Sequence, residues 1–209
     1  ASALGSLKQA RNPEYQALFP IRGKIKSVYK TSVTDALSSQ LIKTIIQLVG
    51  TGVNTKTTKC DLSKLNFDKI IFAHDSDVDG CHISSLLLTL FYTFMPELIK
   101  DGHVYSLQTP LFEIVYKDNT KAFAYDEQEK IKLTKDKDVK KIMRNKGLGE
   151  ISAEDMALCL NESTQRLVRF TMEDAKHAAK FIELFMGNDS NVRKDYITEH
   201  ADEYELDFE

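Results

Sequence analysis

The stretch Asp75-Ser76-Asp77-Val78-Asp79-Gly80 decides the predicted fold of this chain. It follows residues 67–73, an apolar run of strand length, and precedes residues 83–98, where apolar side chains recur at helical spacing. The stretch therefore predicts the turn between a buried strand and a long helix. In open α/β sheets, ligands bind outside the carboxyl ends of the strands, where such turns lie.

Three carboxylates stand at alternate positions of this stretch, on Asp75, Asp77 and Asp79. Carboxylates crowded at one place repel one another unless a cation neutralises them. Hard divalent cations such as Mg²⁺ prefer oxygen ligands. The three acids therefore predict a divalent metal site at the end of the strand.

Two other kinds of structure contain a similar acidic pattern. A calcium-binding loop begins with Asp-x-Asp-x-Asp-Gly but needs a bidentate Glu at its twelfth position. Counting from Asp75, that position is Leu86, so the sequence excludes a calcium loop of this kind. The acids could also simply cap the helix and favour its positive end. One capping Asp is ordinary, whereas three in alternate positions favour the metal site.

Length and composition fit one sizeable domain with an appendage, since the chain has 209 residues of which 42% are hydrophobic. No apolar run reaches the length of a membrane span, and no signal peptide opens the chain. The three cysteines, Cys60, Cys81 and Cys159, are widely spaced and match neither a disulfide framework nor a zinc site. We therefore expect a cytoplasmic protein with no membrane partner. Because the chain begins at Ala1 without an initiator Met, we expect a fragment, a processed chain or a trimmed chain.

Charge is unevenly distributed along the chain, although the net charge is only −3. Residues 1–30 contain six basic residues and one acidic residue, whereas residues 199–209 contain six acidic residues and no Lys or Arg. An anionic partner would therefore bind the first part of the chain.

Within that first part, residues 17–25 are predicted to form a strand-like run broken by Pro20 and Gly23. A glycine at this place would let the backbone approach a ligand closely. Arg22 and Lys24, on either side of the glycine, would lie on the same side of an extended segment. Taken alone, a basic pair of this kind is also typical of a solvated face.

Further elements are predicted from periodicity and turn chemistry. They are a helix from Ser38 or Ser39 to Val49 ended by Gly50, a strand at 103–107, a hairpin at 111–125, helices opened by Ser152-x-x-Asp155 and Thr171-x-x-Asp174, an edge strand at 166–170 and a last helix near 190–200. Residues 126–141 are dense in Lys, Asp and Glu and predict an exposed insert or a short solvated helix. The sequence Lys146-Gly147-Leu148-Gly149-Glu150 then predicts a loop with two glycines.

The order of these motifs resembles the TOPRIM-containing C-terminal part of the B-type subunit of type IIA DNA topoisomerases, the group of gyrase B, its topoisomerase IV equivalent and their phage counterparts. The resemblance runs through nearly all of the chain. It is carried by Ser2-Ala3, Lys8 to Arg11, Pro20 to Ile25, Leu37 to Gln40, Asp75 to Ile83, Gly102 to Tyr105, Lys146 to Glu150 and Phe185 to Gly187. A lone Asp-x-Asp would be a weak signal, whereas this ordered set is specific.

The resemblance implies an α/β fold, with a TOPRIM (Rossmann-like) sheet that has helices on both faces and a mostly helical C-terminal tail. It implies a metal- and DNA-binding domain at residues 1–116, a hairpin and charged insert at 117–145, and a tail at 146–209 that docks on the A-type subunit. The implied reaction is that of an ATP-dependent type II DNA topoisomerase, with a transient double-strand break, strand passage and religation.

The resemblance also implies the partners, which are double-stranded DNA, an A-type subunit that carries the nucleophilic tyrosine, and an N-terminal ATPase part. ATP would be bound by a domain that this chain does not contain, so the chain alone would be inactive. The implied location is the nucleoid, or the cytoplasm of a host cell if the gene is a phage gene.

By the same resemblance, Asp75 and Asp77 would bind Mg²⁺ beside the scissile phosphate, and Asp79 would support a second metal position. In the family a Glu of the first motif is a metal ligand and a general acid; here Ser2-Ala3 match the end of that motif, and the Glu would lie upstream of Ala1. The implied DNA contacts are Arg22, Lys24, Lys8, Arg11, Lys146 and His82. For His82, a packed histidine is an alternative that the sequence favours at least as much.

The chain departs from the family pattern at two further positions. Arg22 replaces the more usual Lys, which keeps the charge but changes the geometry. Asn145 stands where an aromatic residue commonly precedes the two-glycine loop.

Two alternative functions remain open on the sequence alone. The chain could be a non-catalytic assembly module of a split topoisomerase, because one carboxylate of the family's site is not in it. It could also belong to another TOPRIM enzyme, such as a primase or a nuclease, which would share the acidic stretch. That second alternative does not account for residues 146–150 or for the helical tail.

Overall fold

The computed structural model describes the backbone of residues 2–187 and 189–200, and the side chains from residue 4 onward in those ranges. The predictions that concern Ala1, the side chains of Ser2 and Ala3, and the acidic residues of 201–209 lie outside the described residues. The helices are α1 (Ser2–Ala10), α2 (Val33–Ala36), α3 (Gln40–Val49), α4 (Val78–Phe94), α5 (Pro96–Lys100), α6 (Glu127–Thr134), α7 (Ala153–Leu160), α8 (Met172–Met186) and α9 (Ser190–Glu199). The strands are β1 (Ile70–Phe72), β2 (Val104–Gln108), β3 (Phe112–Tyr116), β4 (Lys121–Ala124), β5 (Val139–Arg144) and β6 (Arg166–Arg169).

The strands form two small sheets of three strands each in the described residues. In the first sheet β2 lies in the middle, parallel to β1 with Ile70 opposite Val104, and antiparallel to β6 with Tyr105 opposite Arg169. In the second sheet β3 pairs antiparallel with both β4 and β5. The late strand β6 therefore completes the sheet that β1 and β2 begin.

The main hydrophobic core holds the end of β1 in place. Phe72, the last residue of β1, packs against Phe91 of α4 and Phe170 after β6, with ring centroids 5.7 Å and 5.5 Å apart. The same core contains residues of α3, α4, α5 and β2, and the α8 residues Ala175 and Ile182. Because several elements fix Phe72, the acidic stretch that follows it starts from a rigid position.

A second, smaller core joins the start of the chain to its later part. Leu7 of α1 is buried with Leu148, Ile151, Met156 and Cys159. Helix α1 thus packs against α7 and against the 3₁₀ turn Leu148–Glu150 rather than standing apart.

Several predicted elements are confirmed. Helix α3 ends at Val49, and Gly50 follows in the left-handed conformation with φ of 91°. Thr171 and Asp174 form the predicted capping box of α8, and Ser152 caps α7 through the backbone N–H of Asp155.

Three predictions of secondary structure are corrected. Residues 17–25 contain no strand, since the segment pairs with no strand in the described part of the chain and Gly23 turns with φ of 74°. The single helix predicted over 83–98 is two helices, because Pro96 lacks an N–H and starts α5. The charged segment 126–141 contains α6 as expected, but it also leads into the edge strand β5.

None of the helices in the described residues has both the length and the apolar character needed to cross a membrane.

Candidate functional site

The junction between β1 and α4 places the acidic stretch at the carboxyl end of the strand. Asp77 is the N-cap of α4, and its Oδ1 accepts a hydrogen bond of 2.7 Å from the backbone N–H of Gly80. A Cβ on Gly80 would lie 2.0 Å from the carbonyl oxygen of Asp75, so only glycine fits here. The first turn of α4 therefore folds back closely on Asp75.

Asp75 is half-buried, and its hydrogen-bond donor comes from a distant part of the sequence. Its Oδ1 accepts a hydrogen bond of 2.7 Å from the backbone N–H of Leu148. A Cβ on Gly147 would lie 2.9 Å from the same Oδ1 and 3.1 Å from the Asp75 Cγ. The two-glycine loop at residues 146–150 thus contacts Asp75 directly, and nothing in the sequence predicted this contact.

Asp79 is exposed and pairs with one of the predicted DNA-binding cations. The Nζ of Lys24 lies 2.7 Å from its Oδ1, and both side chains are largely open to solvent. The hydrogen bond from Lys24, together with the lysine charge, holds the pKa of the Asp79 carboxyl below its usual value. The pair brings the 17–25 segment to the acidic stretch.

The three acids are therefore close in sequence, but each has a different protein partner. Among the described side chains, no three His, Cys, Asp or Glu residues form a group that could hold a metal ion. Mg²⁺ is usually bound by one or two carboxylates together with water and phosphate oxygens, rather than by an all-protein cage. The donors at this junction fit that kind of binding, because Asp75 and Asp77 each use only Oδ1 in a hydrogen bond among the described residues and so keep Oδ2 for a metal.

The other predicted DNA contacts fall into two groups. Arg22, Lys8 and Lys146 have exposed side chains, and none has a side-chain hydrogen bond or ion pair within the described part of the chain. Arg11 instead donates a hydrogen bond to the backbone oxygen of Gln16, within the segment that follows α1. The Nε2 of His82 lies 3.3 Å from the Sδ of Met186 in α8, so this ring packs against another helix.

Two family models match the chain. The model for the Toprim domain matches residues 1–109, and the model for the carboxyl terminus of the DNA gyrase B subunit matches residues 137–198. The chain belongs to the Toprim domain family. The α/β fold class and the family predicted from the sequence are thereby confirmed.

Curated proteins similar to this Toprim chain include the DNA gyrase B subunit of Thermotoga maritima, which is 42% identical over 203 residues. The DNA gyrase B subunits of Archaeoglobus fulgidus and Streptomyces coelicolor are 37% and 38% identical. These alignments cover 96%, 97% and 96% of this chain but only 31%, 32% and 30% of the relatives. The chain thus spans about a third of the length of the curated relatives it matches.

Proposed function

We propose that this chain is the Mg²⁺- and DNA-binding part of an ATP-dependent type II DNA topoisomerase. The observation that carries the proposal is the meeting of three distant motifs at the β1–α4 junction. The acidic stretch lies there, Lys24 reaches Asp79, and the backbone N–H of Leu148 binds Asp75. The similarity to DNA gyrase B subunits supports it.

In this proposal Asp75 and Asp77 hold Mg²⁺, and Asp79 supports a second metal position. Bound Mg²⁺ would neutralise charge on the scissile phosphate and on the leaving oxygen. Asp77 can serve because the Gly80 N–H holds its Oδ1 in place and leaves Oδ2 for the metal. Lys24 offsets the charge of Asp79 and could turn to a DNA phosphate. Arg22 is exposed, has no side-chain partner among the described residues and could contact another phosphate.

The remaining parts of the reaction belong to other chains or domains. The nucleophilic tyrosine is proposed to lie on an A-type subunit, and ATP is proposed to bind an N-terminal ATPase part. Within this chain the proposed division of roles is 1–116, 117–145 and 146–209, with the last part docking on the A-type subunit. In the fold, β6 and α8 of this last part pack in the sheet and core of the first part.

The test uses the full-length protein, assembled with its A-type partner and supplied with duplex DNA and Mg²⁺. Asp77→Asn keeps the helix cap but removes the charge, because Asn caps helices about as well as Asp. We expect DNA cleavage to fall roughly 100-fold or more, the loss typical when a transition-state charge loses its stabilising partner.

Asp126→Asn is the matched control, since Asp126 caps α6 in the same way, through the backbone N–H of Glu129 at 2.7 Å. This control should cleave DNA at the wild-type rate. If Asp77→Asn cleaved DNA at the wild-type rate, the proposal would be contradicted. The chain would then fit the role of a non-catalytic assembly module.

A further inference from the structure

The contact between Asp75 and the 146–150 segment (Lys146 to Glu150) joins two motifs that lie 73 residues apart. The hydrogen bond from the Leu148 N–H fixes one oxygen of the Asp75 carboxylate at 2.7 Å. A carboxylate held by a backbone donor points its remaining lone pairs in a defined direction. What holds the Leu148 peptide therefore also decides where the Asp75 carboxylate points.

The 146–150 segment is closed on itself by its terminal acid. The Oε2 of Glu150 accepts a hydrogen bond of 2.7 Å from the backbone N–H of Lys146. The backbone N–H of Glu150 donates to the Gly147 oxygen at 3.1 Å. These two bonds fix the turn whose middle peptide faces Asp75.

The segment is also anchored by the residue before it and by its middle residue. The backbone N–H of Asn145 donates to the Leu111 oxygen at 2.8 Å, and its Nδ2 donates to the Pro110 oxygen at 3.0 Å. The Leu148 side chain is 4% exposed and lies in the core that contains Leu7 of α1. The peptide that binds Asp75 is thus fixed by packing as well as by hydrogen bonds.

Gly147 shows that the approach to the carboxylate is specific. Its φ of −159° is extended backbone that any residue can adopt, so its conformation does not require glycine. The space around Gly147 does require glycine, because a Cβ there would lie 2.9 Å from the Asp75 Oδ1 and 3.1 Å from its Cγ. Gly147 therefore allows the backbone to reach the carboxylate.

We propose that the 146–150 segment positions Asp75 for metal binding, with Gly147 giving the space, the Leu148 N–H giving the direction and Glu150 closing the turn. The inference rests on the proposed function, in which Asp75 is a metal ligand. Residues that orient a metal ligand typically change metal affinity about 10- to 100-fold when they are altered.

The first test measures Mn²⁺ affinity in the full-length protein by electron paramagnetic resonance, with Mn²⁺ as the probe for Mg²⁺. Gly147→Ala should weaken the tightest site about 10- to 100-fold with little change in melting temperature, because the displaced group is the end of a side chain. Gly5→Ala in α1 is the matched control, since a Cβ there meets nothing within 4 Å, and its affinity should equal that of the wild type.

Glu150 provides a second pair of variants. Glu150→Gln keeps an oxygen that can accept from the Lys146 N–H and should retain wild-type affinity. Glu150→Ala removes the acceptor and should lower the affinity together with the protection of the Leu148 amide against hydrogen exchange in metal-free protein.

The outcomes separate this inference from the proposed function. If Asp75→Asn weakens Mn²⁺ binding while Gly147→Ala and Glu150→Ala do not, the positioning role is overturned and the metal site stands. If Asp75→Asn itself leaves the affinity unchanged, Asp75 is not a ligand and both proposals fail.

Discussion

At the scale of single residues, the side chains of the β1–α4 junction hold the fold together as well as serving the proposed site. Asp77 is both the N-cap of α4 and a proposed metal ligand, so a loss of activity on its substitution has two possible causes. Substitutions that differ in shape and charge can separate them.

Asp77→Ala should lower the free energy of unfolding by about 1 kcal/mol, because the Gly80 N–H loses its capping acceptor. Asp77→Asn should stay within a few tenths of a kcal/mol of the wild type, roughly the difference between good capping residues. Urea denaturation of both variants checks this. An equal loss in both variants would mean that charge, rather than capping, stabilises this helix end.

The cysteines should differ in reactivity. Cys81 is exposed, whereas burial raises the pKa of the Cys159 thiol to about 11. At pH 8 we expect alkylation of Cys81 in minutes and of Cys159 only after unfolding, as mass spectrometry of the labelled peptides would show.

The raised pKa of the Cys159 thiol also determines whether the free energy of unfolding rises or falls with pH. Below the pKa of the unfolded thiol, about 8.5, both states keep the proton and Cys159 adds no pH dependence. Above it only the unfolded thiol ionises, so stability falls as the pH rises to about 11. In Cys159→Ala this contribution to the alkaline loss of stability should disappear. An unchanged loss would contradict the raised pKa of Cys159.

The sequence predicted that the acidic stretch lies between a strand and a helix, but it did not predict which groups its acids contact. The acidic stretch was recognisable because its acids are neighbours in the chain. Lys24 was predicted as a DNA contact, and nothing local indicated that it pairs with Asp79. The bond between Leu148 and Asp75 depends on packing across the fold, and a backbone N–H leaves no signature in the sequence.

At the scale of elements, the start of α4 depends on one glycine. Gly80 lies in the first turn of the helix, where a Cβ would come within 2.0 Å of the Asp75 backbone oxygen. The backbone atom cannot move aside without displacing β1 or the helix. The usual gain from replacing a helical glycine is therefore reversed here.

Gly80→Ala should lower the free energy of unfolding by about 1–3 kcal/mol, the cost typical of an added methyl group without room. Gly5→Ala in α1 should instead raise it by about 0.5–1 kcal/mol, because that position is open and alanine favours the helix. Thermal unfolding of the two variants compares them directly. Stabilisation by both would show that the junction can relax.

Elements with a clear periodicity were predicted well, and elements defined by their neighbours were not. Helix α3 has an apolar stripe and a terminal glycine, which are both local signals. Strand β5 was missed because it is an edge strand in which Lys140, Lys141 and Arg144 are exposed, so it shows no alternation of apolar residues. Residues 17–25 looked like a strand, but a strand needs a partner, and none lies beside them in the described structure.

At the scale of the whole molecule, the net charge of −3 means that any DNA affinity must come from a local arrangement of cations. The proposed contacts are mostly with phosphates, so the affinity of the full-length protein for duplex DNA should fall steeply as salt increases.

Arg22→Ala should weaken binding about equally for all DNA sequences and should reduce the salt slope by about one. Lys43→Ala is the matched control, since Lys43 is exposed on α3 but is not among the proposed contacts. Fluorescence anisotropy at several salt concentrations measures both slopes. An unchanged slope for Arg22→Ala would remove this residue from the proposed interface.

Cutting the backbone at the exposed turn between Asp118 and Asn119 would divide both sheets between two pieces, because β6 follows the cut but pairs with β2. Strands β2 and β3 would lie on one piece, while their partners β4, β5 and β6 would lie on the other. Each piece alone would present bare strand edges, and mixing them would let the same hydrogen bonds form again between separate molecules. Two polypeptides divided at this point and expressed in one cell should therefore re-form both sheets, and copurification of the two pieces would check this.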